Sequence, residues 1–514
     1  MPGRPLSRRD ALRLGGRAAS ALAVPALLAG CATATGGVGN VLRVAQAEDT
    51  TTLDPHKQGD MVSMNILINM FDTLTARGAD NRLAPGLALS WAATDHLTWR
   101  FHLRPGVTFQ NGEPCDAAAV KYSIERVLDP GTRSPIVELR YVEGASVVDP
   151  LTVDLHTTQH DPILPAKLSL FGGVVVPPAY LNQFGAEEFA RAPIGTGPFR
   201  FATWRRDHEL RMRANPSHWN GPPSLAELVF RPVPNPASSL AALQSNEVDL
   251  VAGLTPDAAQ QLAGYPGVVI DSNPGIRTSY LSLDTEDAQL RDRRVRQALN
   301  HAIDVPQLIE AVLDGKGRAV PAMVPDGAFG FDATVEPFAR DVGLARRLLA
   351  DAGHPDGIDT TLAASNADAN IAEAISGLLA RAGIRARVQL HDPGTYTALR
   401  TSQNRRALGP MYLSASTVWT MDGSSMLQSI VRSDRRQSRW TSAEADRLID
   451  AEELSVDPAD RQRAFSELQR LIKREAPFVP LYQLDNIYAR NKRPRWTPGT
   501  VGSLRMDSAE VTDV

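Results

Sequence analysis

The chain has 514 residues, 43 % of them hydrophobic, with 54 Lys and Arg against 58 Asp and Glu and two cysteines. A net charge of −4 offers nucleic acid no basic face, and the length exceeds what one hydrophobic core supports, so two or three lobes are expected. Beyond the first thirty residues no stretch approaches the roughly 18 continuous apolar residues of a membrane span.

Residues 1–31 read as an export leader. Arg4, Arg8, Arg9, Arg13 and Arg17 form a basic front, followed by an Ala/Leu/Val stretch too short and too rich in small residues to span a bilayer. It closes on LAGC (28–31), which resembles the lipobox of bacterial lipoproteins and implies lipid attachment at Cys31. SRRDALR (7–13) resembles the twin-arginine export motif with Ala11 where an aromatic is usual, so that route and general export both stay open. Without the leader, 49 basic residues face 57 acidic ones, and the exported body is more acidic still. With Cys31 acylated, Cys115 has no partner for an intrachain disulfide and reads as a small half-buried hydrophobe.

Small residues at 32–40 (ATATGGVGN) make a flexible tether. Residues 41–45 alternate as a strand, and residues 65–74 carry Ile66, Met70, Phe71 and Leu74 at helical spacing. Residues 99–103 alternate again, 107–109 run extended into an Asn111-Gly112 turn, and Asp116 caps a helix ending before Pro130. A Gly/Pro turn at 194–201 feeds a strand, 225–233 is extended, and 238–246 is helical. Residues 291–313 read as one long amphipathic helical region. A helix at 341–352 ends on Gly353, a β-α-β unit spans 362–390, and a last helix at 460–475 is cut by Pro477 before a strand at 479–482. Strands and helices mix throughout, so the class is α/β.

Residues 87–127 (LALSWAATDHLTWRFHLRPGVTFQNGEPCDAAAVKYSIERV) resemble the extracellular solute-binding proteins of family 5, the peptide, nickel and oligosaccharide receptors of ABC importers. Further matches follow in the family's order: LDPH (53–56), PIGTGPF (193–199), WNG (219–221), RVRQALNHAID (294–304) and APFVPLY (476–482). The resemblance implies a periplasmic-binding-protein-like α/β fold in which two hinged lobes close over a ligand, with an additional domain inserted in lobe I. By analogy, lobe I takes residues 41–80, 190–275 and 486–514, the inserted domain 81–189, and lobe II 276–485. The crossings near Asn273-Pro274-Gly275 and Gln483-Leu484-Asp485 are the hinge candidates.

The same resemblance points to ligand-binding positions. Peptide-binding members carry Trp-x-x-Asp in lobe II, whose aspartate pairs with the peptide ammonium, commonly followed by Asp-Pro. This chain has Trp419-Thr420-Met421-Asp422. Either Asp422 is that aspartate, or it stands for the aspartate of Asp-Pro and Trp419 holds the ammonium place; the second alignment needs no gap before Met426-Leu427. With Trp419 there, the pocket suits a sugar, an aromatic or a flat cation better than a free amine. Gly59, Asp60 and Met61 match the lobe I segment that reaches the ligand in relatives, while Tyr280, Tyr412 and Gln483 are wall candidates.

His156 and His160 stand at i, i+4, but on a strand they share no ligand face, and no Gly-x-Ser-x-Gly elbow or phosphate loop occurs. The sequence therefore reads as a monomeric, lipid-anchored, periplasmic or cell-surface receptor without cofactor, metal or catalysis. It would carry a small-molecule or short-peptide ligand to ABC importer permease subunits. A secreted hydrolase, or a sensor or chaperone on the same fold, is the alternative.

Overall fold

The computed structural model describes residues 40–78, 81–499 and 501–512; the leader, Cys31 and the tether up to residue 39 lie outside them. An eleven-stranded sheet runs through the body. From one edge its order is Ile384–His391, Ile358–Ser365, Met411–Thr417, Val268–Leu283, Phe478–Asn491, Leu250–Ala252, Val41–Gln46, Glu227–Pro232, Glu209–Ala214 and Phe199–Arg205, with Gly317–Ala319 added alongside Phe478–Asn491. Two strands of 16 and 14 residues, Val268–Leu283 and Phe478–Asn491, connect the halves. Pro274 pairs with Asp485, and the register shifts between Pro274 and Thr278, so both crossings expected from the sequence sit opposite one another on one antiparallel pair.

Each half has its own core. One gathers Leu42, Phe71, Phe199, Phe230, Tyr488 and Leu504 from three separated stretches of chain. The C-terminal stretch is pinned there by Asn69, which donates to Leu504 O at 2.8 Å and accepts from Met506 N at 2.9 Å. The other half packs Leu281, Leu299, Leu308, Ile375 and Leu413 on its sheet face, beside a second cluster around Phe465, Trp440 and Phe478. A separate four-stranded sheet, Ala88–Asp95, Thr98–Leu103, Thr152–Thr157 and Val142–Asp149, packs with helix Ala117–Leu128 over Phe101 and Val153. This is the two-lobed α/β architecture the resemblance implies. Cys115, expected to be half-buried, is buried in that smaller core, where the packing of its neighbours covers it.

Most boundaries follow local caps: Asp116, Asn235, Asp341 and Asp457 each accept a backbone N–H at the start of a helix. Three expectations are corrected. The helix expected at 65–74 is Met61–Leu67, because Asp60 caps it early and tertiary bonds take the carbonyls that would continue it: Phe199 N donates to Asn69 O and Gly197 N to Met70 O. Close approach there requires glycine, since a Cβ on Gly197 would stand 2.4 Å from the carbonyl carbon of Met70. Residues 291–313 form two helices, Arg293–Ala302 and Val305–Leu313, because Asp304 caps a new start and Pro306 lacks the N–H to continue the old one. The extended run at 107–109 is reduced to a single bridge, Thr108 with Pro114.

Candidate functional site

Strand Met411–Thr417 pairs with Val268–Leu283 along its whole length, but on its other side only Met411 and Tyr412 have ladder partners among the described residues. The edge from Ser414 to Thr417 is therefore one-sided. Beyond it the chain turns sharply: Val418 N bonds Ile276 O, Met421 takes a left-handed φ of 51°, and Gly423 N bonds Phe329 O. Helix Gly423–Ile430 starts on Asp422, whose carboxylate accepts from Ser424 N at 3.0 Å.

That carboxylate also meets a guanidinium. Arg461 donates Nη1 to Asp422 Oδ2 at 2.8 Å and Nη2 to Asp422 Oδ1 at 2.9 Å, and Nη2 also reaches Glu452 Oε2 at 2.9 Å. The three are almost solvent-free, at 5 % exposure for Asp422, 6 % for Arg461 and 1 % for Glu452. Two carboxylates share one guanidinium, which stacks 4.9 Å from Phe329 and 5.5 Å from Phe465. Burial pushes the Glu452 carboxyl up to about 7 against the pull of Arg461, with the nearby Asp422 charge adding to the rise.

Between this region and the segment 137–167 lies a cleft of about 770 Å³, within the range of small-ligand sites. One wall carries Glu138, Arg140, Tyr141, Asp161 and Lys167; the other carries Ser416, Thr417, Trp419, Arg435, Arg436 and Glu453. Lys167 is paired with Asp161 at 2.6 Å, and the Arg140 guanidinium lies 4.5 Å over the Tyr141 ring. Burial raises the Glu453 carboxyl, partly offset by Arg432. Two smaller spaces adjoin, of about 640 Å³ around Trp91, Trp99 and Phe329 and about 330 Å³ beside Trp419 and Arg505.

The sequence-derived candidates divide between these walls and the interior. Trp419 is half-buried, lines the 770 and 330 Å³ spaces, and packs against the core of Leu42 and Phe230. Asp422 lines the 640 Å³ space with its charge engaged by Arg461. The remaining candidates line none of these three spaces. Asp60 caps helix Met61–Leu67 and accepts from the Ser63 hydroxyl at 3.0 Å, Met61 leans on the same core as Trp419, and Gly59 lies beside Pro135. Tyr280 (1 % exposed) is packed edge-on against Phe478, and Tyr412 (2 %) lies under the Arg439 guanidinium. Gln483 donates its amide to the carbonyls of Gly275 and Asp326. His156 is held by the Ser146 hydroxyl at 2.8 Å, and no cluster of three or more His, Cys, Asp or Glu suited to a metal ion occurs among the described residues. Sequence reasoning missed Arg461, Glu452, Arg140 and Lys167. A signal existed for Arg461, a charge on the stripe that continues through Phe465, Leu468 and Ile472.

Residues 82–438 match the family model described as bacterial extracellular solute-binding proteins, family 5 Middle. The chain belongs to this family. Among its relatives is the glutathione-binding protein GsiB of Salmonella paratyphi A, 27 % identical over 483 residues that cover 91 % of this chain and 94 % of that protein. The periplasmic binding protein DppA of Helicobacter pylori, solved with the peptide STSA, superposes with a TM-score of 0.73 at 25 % identity, covering 92 % of this chain and 98 % of that one. HbpA2 of Haemophilus parasuis does so at 0.84 and 22 %, covering 92 % and 100 %. The family expected from residues 87–127 is thus borne out, and the chain is a solute-binding protein.

Proposed function

We propose that this chain captures a short peptide or peptide-like solute between its lobes and hands it to the permease of an ABC importer. The observation that carries this reading is the 770 Å³ cleft, where Ser416 and Thr417 of the one-sided edge, Trp419, Arg435 and Arg436 stand across from Arg140 and the Lys167–Asp161 pair. A peptide laid on that edge gains main-chain hydrogen bonds as an added strand, while its carboxylates meet guanidinium and ammonium groups. Commitment of Asp422 to Arg461 favours the alignment in which Trp419 holds the ammonium place, a place poorly suited to a free amine. A ligand amine then turns to Glu138 or Glu453. One relative is named for binding glutathione and another was solved with the peptide STSA, both solutes of this kind.

Closure is assigned to the paired crossings at Pro274 and Asp485, with lobes and inserted domain as bounded from the sequence. The receptor acts as a monomer, without catalysis, held at the membrane by lipid on Cys31. No helix among the described residues is long and apolar enough to cross a membrane, which fits an anchor of that kind. Thermal unfolding of the exported body with glutathione, dipeptides, opine-like amines, oligosaccharides and nickel chelates tests the reading. A ligand at a hundredfold excess over Kd adds about 2.7 kcal/mol of stability, an easily read shift. Trp419→Ala should abolish the shift given by peptides; a screen in which no solute raises Tm refutes the proposal.

A further inference from the structure

Pairing off the charges that line the 770 Å³ cleft leaves a remainder. Lys167 is matched by Asp161 at 2.6 Å, Glu453 by Arg432 at 3.5 Å and Arg435 by Asp434 at 3.5 Å. Three groups are left over: Arg140, Glu138 and Arg436 have no oppositely charged partner within ion-pair distance among the described residues. Both of these arginines are exposed, so their donors are open to a solute. The Arg140 guanidinium is held over Tyr141, and no acceptor among the described residues takes its N–H groups. Arg436 gives only Nη1, to Thr401 O at 3.3 Å.

The two guanidinium groups belong to opposite walls of the cleft. In open solvent such isolated cations cost little. When the walls draw together over a solute, water leaves, the effective dielectric falls and like charges repel more strongly. Closure is then opposed unless something negative lies between them, and a ligand shifts that balance only by binding the closed form better. Two carboxylates answer two guanidinium groups, and an ammonium answers Glu138, which stands two residues from Arg140. We propose that the cleft selects acidic amino solutes, which place one carboxylate on Arg140, a second on Arg436 and an ammonium at Glu138. A dipeptide containing glutamate or aspartate is the simplest member of this class. A neutral peptide leaves one guanidinium unmatched at closure, and a basic one adds a further positive charge.

This inference rests on the chain being a solute receptor, and one titration series separates the two. Alanylglutamate, its isostere alanylglutamine and lysylalanine are titrated by calorimetry into the exported body as wild type, Arg140→Gln, Arg436→Gln and the double variant. Alanylglutamate should bind at least about tenfold tighter than alanylglutamine, the value of one charge-assisted hydrogen bond. That gap should narrow as salt rises from about 0.05 to 0.5 M. Because each guanidinium takes one carboxylate, one single variant should erase the gap and the other should weaken both dipeptides alike; the double variant should do both. Equal binding of alanylglutamate and alanylglutamine, or a gap surviving in the double variant, overturns the inference and leaves the receptor reading standing. So does any solute of the thermal screen, or lysylalanine, that has fewer than two acidic groups and binds as tightly as alanylglutamate. A dicarboxylate that binds in place of alanylglutamate must lose at least about tenfold in the double variant, or the inference falls. Silence of every solute tried removes both.

Discussion

Replacing Glu452 by glutamine should change how stability depends on pH. In the wild type the carboxyl is 1 % exposed and shares Arg461 with Asp422. A rise from the ordinary 4.5 to about 7 means that the folded state holds this proton more tightly than the unfolded chain, by about 3 kcal/mol. Because the folded pKa is raised, that stabilisation is fully present below 4.5 and is lost as pH climbs through 7. The amide of Glu452→Gln would stay neutral throughout, still offering Arg461 an oxygen. The difference in Tm between variant and wild type should therefore widen in the variant's favour from pH 5 to pH 8. For a lobe of about 200 residues, 3 kcal/mol corresponds to roughly 6–12 °C. Differential scanning calorimetry of both proteins at unit pH steps reads this directly. Parallel Tm profiles would refute the argument, since they would mean that Glu452 titrates alike in both states.

Removing Arg126 as Arg126→Met should cost about 3–5 kcal/mol by urea denaturation, because Asp54, with 0 % exposure, loses its cationic partner and the buried His56 loses a hydrogen-bond donor. Gly197→Ala should lower soluble yield and Tm sharply, as the new Cβ has only the backbone of Met70 and Phe71 to push against. Native Cys115 should resist iodoacetamide at pH 8 and react only on unfolding, for it is 6 % exposed and burial drives its thiol well above the usual range.

The fold was legible where the chain's own grammar decides the structure. Asp116, Asn235 and Asp341 announce helices because the cap and the helix it caps are adjacent in sequence. The break after Leu67 was not legible, since the carbonyls of Asn69 and Met70 are claimed by residues 197–199. The site divides along the same line. Trp419 and Asp422 could be found from a short motif, but the partner that neutralises Asp422 lies 39 residues further on. Nothing near Arg77 in sequence marks its reach to Thr420 O, 343 residues away.

Strand Phe478–Asn491 has a consequence for synthesis. It lies at the middle of the large sheet, between Val268–Leu283 and Leu250–Ala252, yet it follows every other strand of that sheet along the chain. Until residues 478–491 leave the ribosome, neither half has its central neighbour, and the strands already made present raw edges on both sides of the gap. A nascent or truncated chain lacking this segment is then no half-working receptor but two open sheets needing a chaperone. Maturation of both lobes waits on the same fourteen-residue strand.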